Sequence, residues 1–142
     1  MSQTANKIRA KIKTEENSNS AAKRISTDFL ELLENQFPIT DLRKTLKLRS
    51  ASAFAHKLDI HVNHLNRSVK AINDKPTSII ISERILAESK RLLKQTDWNV
   101  SEIAYALGFT EVTHFNNFFK KEMNMNPSQF RKSLIENRKQ KL

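Results

Sequence analysis

One glycine and three prolines are all that this chain of 142 residues contains. Those two residue types mark most tight turns, because glycine reaches positive φ without penalty and proline presets a negative one. A sheet-rich fold of this length needs repeated hairpins, and this sequence has almost nothing with which to build them. The scarcity of breakers predicts an all-α chain. Its length suits one domain with a real core and falls short of two ordinary ones.

Charge then narrows the partners. Lys and Arg outnumber Asp and Glu by 25 to 15, for a formal net charge of +10. Such a surplus favours an anionic partner: a nucleic acid, an anionic membrane surface or another acidic macromolecule. No apolar run approaches the ~18 residues of a membrane span, and the N-terminus lacks a signal-peptide core. Cysteine is absent, which removes disulfides, thiolate metal sites and Cys nucleophiles together. A cytoplasmic protein is expected. Nothing points to an enzyme: a single glycine cannot make a phosphate-cradling loop. His61 and His64 are three apart on one helix, but no third ligand stands at sensible spacing, so neither a metal nor a cofactor is expected.

Residues 1–24 are polar, basic and poor in large apolar side chains, and read as a disordered leader or linker. Residues 25–135 are periodic. Ser26-Thr27-Asp28 could open a helix that carries Phe29, Leu32, Leu33 and Phe37 on one stripe before Pro38. Residues 39–48 fit either a further helical turn or a structured loop. A first helix pair spans about 50–72: Phe54, Ala55 and Leu58 face inward, Asp59-Ile60-His61 turn, and Val62, Leu65 and Val69 face inward again. A long helix follows Lys75-Pro76 at about 77–96, with Ile80, Ile81, Ile85, Leu92 and Leu93 on its stripe. Asp97-Trp98-Asn99 break it, Trp98 being read as core.

A second pair spans about 100–124. Asn99 or Ser101 caps it, and Ile103, Ala104 and Leu107 are buried. Gly108 stands where a left-handed backbone is easiest. Phe115, Phe118 or Phe119, and Met123 line the next inner face. Pro127 suits the first turn of a last helix, and residues 136–142 form a charged tail.

Two helix pairs in a basic chain suit a helix-turn-helix protein. The second helix of such a unit fits the DNA major groove, about 12 Å wide, while the first braces it. Its outer face needs short polar side chains for base edges and cations for phosphates. In the second pair Thr113, Asn116 and Asn117 supply the former, with Val112 for a thymine methyl, while Lys120, Lys121 and Ser101 suit phosphates. In the first pair Asn63, Asn66, Arg67 and Lys70 face outward. Arg67 suits bidentate contact with guanine, the asparagines suit adenine, and Lys70 suits phosphate. Taken singly, each of these is an ordinary solvated residue; it is the sharing of a face, repeated in two units, that carries the reading.

SEIAYALGF, followed by HFNNFFKKEMNMNPSQFRK, resembles the signature of the AraC/XylS family of bacterial transcription regulators. FAHKLDIHVNHLNRSVK is similar to that family's first, more variable helix-turn-helix, and the resemblance covers about residues 50–133, with a family helix before it at 27–36. It implies a seven-helix module: two helix-turn-helix subdomains joined by a long linking helix, reading adjacent major-groove segments of double-stranded DNA. The base-contacting positions that it implies are Asn63, Asn66 and Arg67, and Val112, Thr113, Asn116 and Asn117. Three departures stand out. Residues 39–47 look like an insertion, Ile85 stands where many members place an arginine, and Val112 is apolar where a polar reader is frequent.

The resemblance also implies a sensor and dimerisation domain, and only the polar leader precedes the module here. The chain is therefore expected to be the DNA-binding end of a longer regulator. The expected function is a sequence-specific DNA-binding regulator, an activator by preference, with RNA polymerase as a further partner. The alternative is a sequence-blind basic DNA binder or a module that contacts RNA polymerase alone.

Overall fold

The computed structural model describes residues 2–140. Among them are seven helices and no strand: α1 (Ser2–Glu34), α2 (Ala51–Lys57), α3 (Val62–Asn73), α4 (Thr77–Gln95), α5 (Val100–Ala106), α6 (Val112–Met123) and α7 (Pro127–Gln140). The expected all-α, seven-helix architecture is what the chain adopts. The helices fall into two compact units. The first joins the residues up to Asn35 with Ser50–Ile80, and the second joins Gln36–Arg49 with the residues from Ile81 onward.

In the first unit the packing stripe of α1 is Ile25, Phe29 and Leu33, spaced one turn apart and all buried. They meet Phe54 and Ala55 of α2 and Leu65 and Val69 of α3, which are buried in turn. The Phe29 and Phe54 rings stand edge to face with centroids 5.0 Å apart, a geometry worth about 1 kcal/mol beyond the area it buries. Ser26 is not a helix cap, because α1 starts far upstream of it. It is buried, and its Oγ accepts a 2.8 Å bond from Asn73 Nδ2, which holds the end of α3 to α1.

The expected disordered leader, residues 1–24, is instead helical from Ser2, Met1 lying outside the described residues. Its side chains from Gln3 to Ser20 are exposed, so burial does not order it. Local preference does: the segment has no Gly or Pro and is rich in Ala, Lys, Arg, Gln and Glu. Such residues propagate a helix once a packed turn has nucleated it.

In the second unit Ile81, Ile85, Leu92 and Leu93 of α4 are buried, as are Ile103, Ala104, Ala106 and Leu107. A row of rings follows: Phe109 to Phe115 at 5.3 Å, Phe115 to Phe119 at 6.0 Å, and Phe119 to Phe130 at 5.3 Å. Phe115 and Phe119 are the buried pair, while Phe118 and Trp98 are only half-buried. Arg131 closes the C-terminal end of α4, donating to the carbonyls of Leu93 at 3.0 Å and Trp98 at 2.6 Å.

Residues 36–49 form a structured loop with no helical turn. Ile39 and Leu46 are buried, and the Ile39 amide donates to the buried Glu88 carboxylate at 2.6 Å. Arg91 completes the pin, bonding Glu88 at 2.6 Å and the Ile39 carbonyl at 2.9 Å. The expected tail from residue 136 is helical as far as Gln140, and the last two residues lie outside the described ones.

Candidate nucleic-acid interface

The first candidate face is built on a turn that carries α2 into α3. The Asp59 amide donates to the His56 carbonyl at 3.1 Å, and the Ile60 amide to the Ala55 carbonyl at 3.0 Å. Asp59 itself is left-handed, with φ 57°, so the pair of bonds makes a Schellman-type stop. His61 then starts α3, its Nδ1 accepting from the Asn63 amide at 3.1 Å. Leu65, Ser68 and Val69 turn inward. That leaves Asn63, Asn66, Arg67 and Lys70 exposed on the opposite face, at the spacing that places them side by side. Asn66, Arg67 and Lys70 also form one wall of a cleft of about 380 Å³, whose facing wall is Pro76, Thr77 and Ser78.

The second face follows the same plan. The Gly108 amide donates to the Tyr105 carbonyl at 3.0 Å, and the Phe109 amide to the Ala104 carbonyl at 2.9 Å. Gly108 has φ 86°, and a Cβ placed there would collide with the Arg49 side chain and come within 2.8 Å of the Leu46 carbonyl oxygen. Arg49 is held in that position. Its Nε donates to the Leu107 carbonyl at 2.8 Å, and its guanidinium lies 4.5 Å over the Phe109 ring. Burial lowers its pKa from the usual arginine value.

With Phe115 and Phe119 turned inward, α6 presents Thr113, Asn117, Lys120 and Lys121 fully and Val112 and Asn116 in part. All six fall along one face. Glu111 precedes the helix and makes no side-chain capping bond. Ser101 is exposed on α5, whose N-terminus is closed by an Asn99–Glu102 capping box with bonds of 2.8 and 2.9 Å.

Each predicted site residue thus lies on the element expected of it, and each helix gathers its own set on one side. Short amides and a guanidinium can bond base edges, and the flanking lysines can neutralise phosphates. Among the described residues no three His, Asp or Glu side chains come together to hold a metal, and no helix is long and apolar enough to cross a membrane. Thr77 and Ser78 were not foreseen as part of any site. The signal was nevertheless present: no acidic residue follows Pro76 in the first turn of α4.

Comparison with known proteins gives a concordant result. The family described as "Helix-turn-helix domain" matches residues 54–133. The xylose operon regulatory protein of Haemophilus influenzae is 32% identical over 74 residues, which are 52% of this chain and 19% of that protein. The HTH-type transcriptional activator RhaS of Salmonella arizonae is 29% identical over 79 residues, 56% of this chain and 28% of that protein. The chain thus spans less than a third of the length of either relative. In fold it resembles the DNA-binding domain of AdpA, a global transcriptional factor solved with a target DNA: TM-score 0.64, 16% identity, 82% of this chain and 96% of that one.

Proposed function

Because this chain belongs to the AraC-type family of helix-turn-helix domains, we propose that it is the DNA-binding part of a bacterial transcription regulator, reading specific double-stranded sequences with α3 and α6. The observation that carries this reading is the repetition of one arrangement. Twice, a Schellman-type turn launches an amphipathic helix whose free face holds amides with cations beside them. A charge-driven binder needs the cations alone; the short amides are what base edges require.

In this reading Asn63, Asn66 and Arg67 read one major-groove segment, and Val112, Thr113, Asn116 and Asn117 read an adjacent one. Val112 meets a thymine methyl. Lys70, Lys120, Lys121 and Ser101 hold backbone phosphates. The regulator acts in the cytoplasm as an activator, as the name of the RhaS relative suggests, and contacts RNA polymerase as well.

Selection of bound sites from a random duplex library at near-physiological salt tests the reading. Two enriched blocks about one helical turn, or roughly 10 base pairs, apart are expected. Arg67→Ala should relax one block, at a cost of about 1–3 kcal/mol, while Lys121→Ala should weaken every sequence alike. Salt-sensitive binding with no enriched block at all would leave only the charge-driven binder.

A further inference from the structure

Thr77 has 1% of its surface exposed, and its Oγ1 has no hydrogen-bond partner. A buried hydroxyl without a partner costs about 1–3 kcal/mol, so one that persists calls for a reason. It lines the cleft whose other wall carries Arg67 and Lys70, and no carboxylate shares that lining.

Thr77 is also the first residue of α4, a helix of 19 residues. The Ile79 and Ile80 amides both reach back to the Pro76 carbonyl, at 3.1 and 3.2 Å. That leaves the Thr77 and Ser78 amides ahead of the helical ladder, as donors with no intrahelical acceptor. The positive end of a helix dipole is ordinarily balanced by Asp or Glu, and α4 has none in its first turn. Two cations, two leading amides and an unpartnered hydroxyl therefore converge on one concave site of about 380 Å³. That set of donors matches a tetrahedral oxyanion.

We propose that this cleft is a phosphate-binding site, in which Lys70 and the leading amides of α4 hold the phosphate oxygens. The Thr77 hydroxyl donates to one of them after a turn about χ1, since threonine in a helix divides between two such rotamers. Arg67 adds positive charge at the rim, even while its guanidinium reads a base. The occupant that the charge favours is a backbone phosphate of bound duplex, and this source, unlike the site itself, rests on the DNA-binding reading. A phosphate-bearing small molecule offers the same chemistry.

The amide spectrum of the ¹⁵N-labelled protein, titrated with inorganic phosphate at constant ionic strength, tests the site directly. Saturable movement of the Thr77 and Ser78 signals is expected, with a weaker response in Thr77→Val and Lys70→Ala. Thr77→Val should also melt higher, because it deletes an unsatisfied hydroxyl without changing shape. Absence of saturable movement, or an identical response in both variants, overturns the proposal.

Duplex affinity then names the source. A loss of about tenfold in Lys70→Ala for every sequence, with a salt slope shallower by about one, assigns the site to the DNA backbone. Unchanged duplex affinity with the phosphate response present in the parent assigns it to a small phosphate compound. Phosphate binding without any sequence preference in the selected sites would sink the base-reading proposal and leave the cleft standing.

Discussion

The two helix-turn-helix units make one turn with two different residues. After α2 the left-handed position is Asp59, at φ 57°; after α5 it is Gly108, at φ 86°. Both turns use the same pair of bonds, to the carbonyls three and five residues back. What differs is the surroundings. Asp59 is exposed and has room for a side chain, whereas Gly108 has Arg49 and the Leu46 carbonyl where its Cβ would stand. A left-handed stop accepts aspartate, whose short polar side chain tolerates that region. Crowding is what makes glycine obligatory in the second unit.

Gly108→Ala is the most damaging way to probe that contrast. Left-handed strain of about 1–2 kcal/mol adds to an overpacking cost of about 1–3 kcal/mol. A loss near 3 kcal/mol is expected on urea unfolding. Asp59→Ala, where nothing crowds the turn, should cost under about 1 kcal/mol. Equal losses at the two positions would mean that Arg49 swings aside and that backbone conformation alone decides.

The reading faces extend the comparison to DNA. Asn66→Ala and Asn117→Ala each remove one candidate adenine contact, worth about 1–3 kcal/mol of discrimination if it is bidentate. Each should relax its own half of a selected site and leave the other half sharp. If Asn66→Ala changes no base preference while Asn117→Ala does, α3 steadies the complex and α6 alone reads.

Much of this architecture was legible because it is periodic. Stripes such as Leu65/Val69 and Ile81/Ile85 mark helices whatever their distant partners, and the polar faces follow by elimination. Pairings with no period were hidden. Glu88 holds the Ile39 amide across 49 positions, and Arg131 caps carbonyls on a helix 38 positions back. Ser26 reads as a cap from its neighbours, yet it is the buried acceptor of Asn73 across 47 positions. The leader shows the opposite failure. Its composition forbids a core, which suggested disorder, but local propensity without any breaker was enough for a helix. The phosphate cleft could not be foreseen as a site, because its two walls meet only once α3 and α4 are folded together.

The helix starts differ as well, by a smaller amount. His61 caps α3 through Nδ1, while Glu111 before α6 forms no capping bond and offers only its charge to the helix dipole. His61→Ala should therefore cost about 1 kcal/mol, and Glu111→Ala a few tenths, by thermal unfolding. A larger loss at Glu111 would show that its 3.8 Å pairing with His114 matters more than the geometry suggests.

Asp59→Gly should move stability least, and it is the cleanest check on the opening contrast. Glycine removes whatever left-handed strain aspartate carries, up to about 1 kcal/mol, but loses about 0.5–1 kcal/mol through the freer unfolded chain. The two terms nearly cancel, so a gain below about half a kcal/mol is expected. A gain well above that would mean that aspartate is as strained here as any other residue, which removes the reason given for its tolerance. A clear loss would mean that the Asp59 carboxylate makes a stabilising interaction in solution. Set beside Gly108→Asp, where the same aspartate must enter the crowded turn and cost at least as much as alanine, the pair of swaps separates backbone strain from steric collision. Only collision predicts that exchanging the two residues harms one unit and spares the other.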